Sequence, residues 1–85
     1  MMEAMAQLRF FASIREAAGT GAAAFDGGTV GEVLDAAVEA YGGPDSRFAV
    51  VLDACNVWRN GVPTDRGQAV DDDDEIALLP PVSGG

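Results

Sequence analysis

Val30, Val33, Leu34, Ala37, Val38 and Tyr41 recur at the i, i+3, i+4, i+7, i+8, i+11 spacing of a single helical face. Glu32, Asp35 and Glu39 fall on the opposite side. Thr29 and Glu32 stand at capping-box spacing, and Gly42-Gly43-Pro44 stops the pattern. The spacing predicts a helix over Thr29–Tyr41 with a continuous apolar stripe that must be covered. Most other apolar runs are short and strand-like, so the stripe is read as packing on one face of a small mixed sheet. That makes the chain an α+β domain. At 85 residues it is expected to be a single domain, 1–85, near the lower size at which a chain folds alone.

Ala6 to Ala12 alternates Leu8, Phe10 and Ala12 against Gln7, Arg9 and Phe11, the period of a half-buried strand. Phe11 breaks the polar face. It either packs under a loop or belongs to a partner surface. Ser13 and Glu16 have capping-box spacing and Gly19 follows as a stop, which predicts a short helical turn over Ser13–Ala18. Ala22–Phe25 is read as a second strand although alanine is a poor strand former. Asp45 and Ser46 can cap another short helix, with Phe48, Val51 and Leu52 facing inward. The run Phe48–Leu52 fits a strand equally well. Cys55–Arg59 reads as a strand, and Asn60-Gly61 is a strong hairpin signal. Pro63 marks the return strand as an edge. Thr64–Val70 is read as irregular. Asp71–Glu75 is a run of five acids. It lacks the spacing of a calcium loop and is expected to be a solvated turn that resists edge pairing. Ile76–Leu79 is apolar on both faces, as in a central strand.

The charge and residue inventory narrows the function. Fourteen acids against five arginines give a net charge of −9. A polyanion repels nucleic acid and anionic lipid, so neither is expected as a partner. A basic protein partner is the natural complement, and plain solubility accounts for the charge equally well. The chain has no histidine and no lysine. Histidine triads, histidine metal sites and Schiff-base chemistry are therefore excluded, and no bound metal is expected. No run of about 18 apolar residues exists to span a membrane. Met1–Gln7 lack a basic n-region and a long apolar core, so no signal peptide is expected. The single cysteine, Cys55, excludes an internal disulfide and fits a reducing cytoplasm, the expected location. Without a neighbouring base it is read as a buried structural thiol.

The last strand runs without a polar linker into Leu79-Pro80-Pro81-Val82-Ser83-Gly84-Gly85. The prolines fix φ near −65° and favour a stiff, extended exit. The two glycines carry no Cβ and leave the final carbonyl unshielded. From Leu79 onward the stretch reaches at most about 20–25 Å. Residues 80–85 are thus expected to be an extended tail that can thread a narrow channel and present its carboxylate to another enzyme.

Three blocks resemble the small subunits of molybdopterin synthase, the β-grasp, ubiquitin-like sulfur carriers of the MoaD/ThiS type. Leu8-Arg9-Phe10-Phe11-Ala12-Ser13-Ile14-Arg15-Glu16, with Gly19, is similar to that family's first strand and turn. Thr29-Val30-Gly31-Glu32-Val33-Leu34 resembles its helix start. The stretch from Asp74 through the Pro-Pro-Val-Ser-Gly-Gly ending is the most specific block. One departure is Asp73, where the family commonly has glycine; the turn is expected to need φ > 0, which aspartate tolerates better than most residues.

The resemblance implies a β-grasp fold and a cycle of charging and discharging. An E1-like adenylating enzyme would spend ATP to activate Gly85, and a sulfur donor protein would convert it to a thiocarboxylate. The tail would then enter the large subunit of molybdopterin synthase, in a heterotetramer, and give its sulfur to cyclic pyranopterin monophosphate. Gly85 would be the covalent carrier and Gly84 would give it clearance. Phe11, Leu79, Pro80, Pro81, Val82 and Ser83 would form the partner-binding surface. No tightly bound cofactor is implied, and catalytic acids and bases would come from the partners. A sulfur carrier for thiamine thiazole or cysteine synthesis, and a β-grasp binding module with an inert tail, are the competing readings.

Overall fold

The computed structural model describes residues 4–81. In chain order the elements are β1 (Met5–Phe10), α1 (Ala12–Ala18), β2 (Ala22–Asp26), α2 (Val30–Ala40), α3 (Arg47–Ala54), β3 (Asn56–Arg59), β4 (Val62–Pro63) and β5 (Glu75–Leu79). The strands form one sheet in the order β2-β1-β5-β3-β4. β1 and β5 run parallel, and the remaining pairs are antiparallel, so the sheet is mixed. β5 lies in the middle, as its two-sided apolar pattern required.

Alternation sorts each strand. Ala6, Leu8 and Phe10 of β1 and Ile76 and Leu78 of β5 are buried on one face. All three helices contribute to that core: Ile14 from α1, Val30, Val33, Leu34 and Ala37 from α2, and Phe48 and Leu52 from α3. Phe10, Tyr41 and Phe48 join strand to helices through ring contacts, Phe10–Phe48 edge-to-face at 5.7 Å.

The α2 stripe is realised, and Thr29 caps the helix by accepting the Glu32 N–H at 3.2 Å. The reciprocal half of the box differs. Glu32 Oε1 accepts from Gly28 N–H at 2.7 Å. The stretch read as irregular supplies what the cap leaves over. Val30 N–H donates to Gln68 O and Gly31 N–H donates to Arg66 O, so the loop after β4 satisfies the orphan donors at the α2 start. Val70, with no periodicity to announce it, enters the core from this loop.

The structure corrects other boundaries. β1 stops at Phe10 rather than Ala12, because Ala12 takes φ 50° and turns the chain out of the sheet. α1 therefore begins one residue earlier than expected. Phe11 is its N-cap without a side-chain cap bond, and Ser13 lies inside the first turn, where it cannot serve as the cap. Gly19 ends α1 at φ 79°, as expected. Ala22–Asp26 is a strand through its pairing with β1, which outweighs alanine's low preference. Phe48–Leu52 is helical, capped by Ser46 Oγ, which accepts from Ala49 N–H at 3.1 Å. Cys55 caps α3 rather than opening β3, and is only partly buried. Asn60-Gly61 forms the β3–β4 turn with φ 51° and 84°.

Candidate functional site at the end of the central strand

Pairing register fixes what surrounds the exit of β5. Phe10 sits beside Leu78 on the parallel side, so the next residue, Phe11, stands level with Leu79. On the antiparallel side Leu79 is opposite Asn56, the first residue of β3. Chain leaving β5 thus emerges between Phe11 and Asn56. Phe11 is 46% exposed, because its cap position lifts it clear of the core just ahead of the left-handed Ala12. Leu79 and Pro80 are half-buried and Pro81 is exposed. Phe11, Leu79, Pro80 and Pro81 are brought to one rim of the sheet, as the sequence reading grouped them. Val82, Ser83, Gly84 and Gly85 lie outside the described residues.

Leu79 and Ala77 face away from the helices. Across the strands, Arg9, Ala77, Trp58 and Pro63 fall in one row of that open face. Trp58 is half-buried there. Arg9 pairs with Glu75 at 3.2 Å, an exposed contact worth little to stability. Among the described residues Arg15, four residues beyond Phe11, is the one arginine without a carboxylate within 4.0 Å.

The opposite end of β5 holds a cluster that the sequence reading missed. The acidic run is not wholly solvated. Asp74 is only 8% exposed, and its carboxylate accepts from Arg59 Nε at 2.8 Å, Asn60 Nδ2 at 2.9 Å and Asp71 N–H at 2.8 Å. Asn60 Oδ1 in turn accepts from Glu75 N–H at 2.8 Å. The Asp71 N–H, first, and the Asn60 amide hold the Asp74 carboxyl below its ordinary range; burial opposes them and Arg59 reinforces them. The cluster pins the start of β5 to the β3–β4 turn. An Asn-Gly turn near the acid that opens a strand was the available signal. Among the described residues no group of three or more Cys, Asp or Glu is placed to hold a metal ion.

On the helix side, a cleft of about 350 Å³ is lined by Leu34, Leu52, Asp53, Cys55, Asn56, Val57, Thr64, Asp65 and Arg66. Cys55 Sγ donates to Val51 O at 3.4 Å, and burial pushes its thiol up to about 11. It is a protonated structural thiol at neutral pH, not a nucleophile. No described helix is long and apolar enough to cross a membrane.

Comparison with known proteins bears on this geometry. The profile of the ThiS family matches residues 8–85. Small archaeal modifier protein 1 of Haloferax volcanii is 40% identical over 84 residues, covering 91% of this chain and 97% of that protein. The solution structure of small archaeal modifier protein 1 from Methanosarcina acetivorans superposes with a TM-score of 0.84 at 28% identity, over 100% of both chains. A chain of the complex between subunits 1 and 2 of molybdopterin-converting factor from Helicobacter pylori 26695 matches with a TM-score of 0.68 at 28% identity, over 95% of this chain and 99% of that one.

Proposed function

The chain belongs to the ThiS family, ubiquitin-like β-grasp proteins of the MoaD/ThiS type, and on that premise we propose that it is a sulfur carrier whose working group is the Gly85 carboxylate. The observation that carries this reading is that the family match, over residues 8–85, takes in Gly84-Gly85. A carboxylate is a poor electrophile, so charging needs an E1-like enzyme that adenylates Gly85 with ATP. The persulfide of a sulfur donor protein then attacks the acyl carbon and displaces AMP. A thiol cleaves the resulting acyl disulfide, forming a disulfide with the donor and leaving a thiocarboxylate, an anionic sulfur nucleophile at neutral pH. The acceptor we propose is cyclic pyranopterin monophosphate held by the large subunit of molybdopterin synthase. In support, a 28%-identical chain occurs in the complex of the two converting-factor subunits. The rim of Phe11, Leu79, Pro80 and Pro81 is the docking surface, Val82 and Ser83 extend it, and Gly84 keeps the channel-threading end slim. With no histidine or lysine here, proton transfers fall to the partners.

The test is reconstitution with an activating enzyme, ATP and a sulfur donor, followed by intact mass. The expected result is the increment of one oxygen-to-sulfur exchange, lost again on hydrolysis. Gly84→Ala and Gly85→Ala should transfer sulfur far more slowly; normal rates in both would sink the steric argument.

A second reading is favoured by the 40%-identical relative, which is named a modifier protein. The same activated acyl end could then be passed to an amine of another protein. Isopeptide-linked Gly85 on cellular proteins would identify that use, and its absence together with sulfur transfer would leave the carrier role alone.

A further inference from the structure

The sheet ends in two edge strands that are guarded very differently. β4 is two residues long and contains Pro63, which removes a donor from that edge. β2 runs for five residues and contains neither proline nor lysine. Its ladder to β1 is framed by Phe10 N–H donating to Gly21 O and Gly27 N–H donating to Ala4 O. Antiparallel bonding skips alternate residues, so Ala23 and Phe25 turn their backbone groups toward β1. Ala22, Ala24 and Asp26 turn theirs outward. Gln7, opposite Ala24, confirms the phase by giving its N–H to Asp74 O on its other side. Thr20 Oγ1 folds back over Ala22, donating to its carbonyl at 3.1 Å. Among the described residues nothing covers the outward N–H and C=O groups of Ala24 and Asp26.

Two further features say what such an edge would take. Phe25 and Tyr41 meet edge-to-face at 5.9 Å, and both are only half-buried, which leaves an aromatic shoulder on the helix side of the edge. Asp26 puts a carboxylate at one end of it, on a chain of net charge −9. A second copy would bring like charge to like; a basic segment would be drawn in.

We propose that the free edge of β2 accepts an added strand from a protein partner: an extended segment of alternating apolar residues, with lysine or arginine at the end lying over Asp26. Its apolar side chains on one face would cover the Phe25–Tyr41 shoulder, and its backbone would pair with Ala24 and Asp26. β2 is two strands from β5, about 10 Å across the sheet. A partner held there leaves the rim at Phe11 and Leu79 free. The edge is therefore a second handle, usable while the tail is engaged elsewhere, and it does not depend on which acceptor the tail serves.

The experiment titrates the full chain with a seven-residue peptide that alternates valine and threonine between two terminal arginines, capped at both ends. Amide shifts and hydrogen exchange are followed residue by residue. The expected result is slowed exchange at Ala24 and Asp26. Ala24→Pro should weaken binding at least about tenfold, because it removes an outward donor and no β1 ladder bond, while Ala24→Val keeps it. A peptide N-methylated at both threonines and at the central valine should lose binding to a similar degree whichever way its strand runs, which makes the same point without altering the protein. Terminal glutamates in place of the arginines should also weaken it. The proposal is overturned if the peptide does not bind at millimolar concentration, if the shifts map away from β2, or if both Ala24→Pro and the N-methylated peptide bind normally. A dimer of the free chain that Ala24→Pro dissolves would assign the edge to a second copy and overturn it as well.

Discussion

Arg59 Nε donates to Asp74 Oδ2 at 2.8 Å, joining the end of β3 to the residue that precedes β5. Arg59 retains 27% side-chain exposure and Asp74 about 10%, so the pair is shielded without being sealed off. Asp74→Ala removes three accepted hydrogen bonds and leaves Arg59 and Asn60 short of partners. The expected loss of stability is about 1–3 kcal/mol, read from urea midpoints at neutral pH. A loss within error of zero would mean that water replaces the carboxylate at no cost.

The same carboxylate sets an acid limit. Its folded value is held low by the Asp71 N–H, by Asn60 and by Arg59, so the unfolded chain binds the proton more readily. That stabilisation is fully present above the ordinary aspartate value of about 3.9 and is lost as pH falls through the depressed folded value. Denaturation between about pH 6 and pH 2 should show a slope that Asp74→Asn flattens. Parallel curves for the two proteins would assign the acid limit to other carboxylates.

Asp73 takes φ 67°, so the turn does occupy the left-handed region expected of it, with aspartate rather than glycine in place. Asp73→Gly is expected to stabilise by about 0.5–1 kcal/mol, seen as a rise of a few degrees in Tm. Asp73→Asn separates the causes. It removes the same charge from the acidic run but keeps a side chain, and should give the smaller gain.

At the rim, Phe11 is the more exposed of the two large apolar candidates. Phe11→Asp should leave Tm within about 2 °C and weaken association with the proposed large subunit by tenfold or more. Leu79→Asp, at a half-buried position, should do the same and also destabilise by about 1 kcal/mol. Calorimetric titration and thermal melts of each variant measure both effects. Unchanged affinity in Phe11→Asp would remove it from the docking surface.

Cys55, with its thiol pushed up to about 11 from an ordinary 9.0, should hold about 100-fold less thiolate at neutral pH than a free cysteine. Alkylation by iodoacetamide should be slower in proportion, and should reach the free-thiol rate in urea. A tail thiocarboxylate could then be labelled selectively in the native chain.

The elements legible in the sequence were those with local periodicity or local turn chemistry. α2 declared itself through its stripe and through Thr29, the β3–β4 turn through Asn60-Gly61, and the central place of β5 through apolar residues on both faces. What stayed hidden depends on distant partners. Loop 64–70 caps α2 only because the orphan donors of Val30 and Gly31 lie beside it. Asp74 is buried only because Arg59 and Asn60 arrive from another hairpin. Ser13 looked like a cap until the left-handed turn at Ala12 shifted the helix start. At the candidate site the grouping of Phe11 with Leu79 and Pro80 followed from sequence. The clamp at the far end of the same strand did not.

The central placement of β5 also governs how the molecule bears traction. An enzyme that grips the chain beyond Pro81 pulls β5 along its own axis, with β1 on one flank and β3 on the other. The load then falls in shear on both rows of bonds together, instead of peeling them apart singly from an outer strand. In the proposed carrier role, the end beyond Pro81 would be drawn into and out of a partner's tunnel while the sheet that bears it keeps its shape.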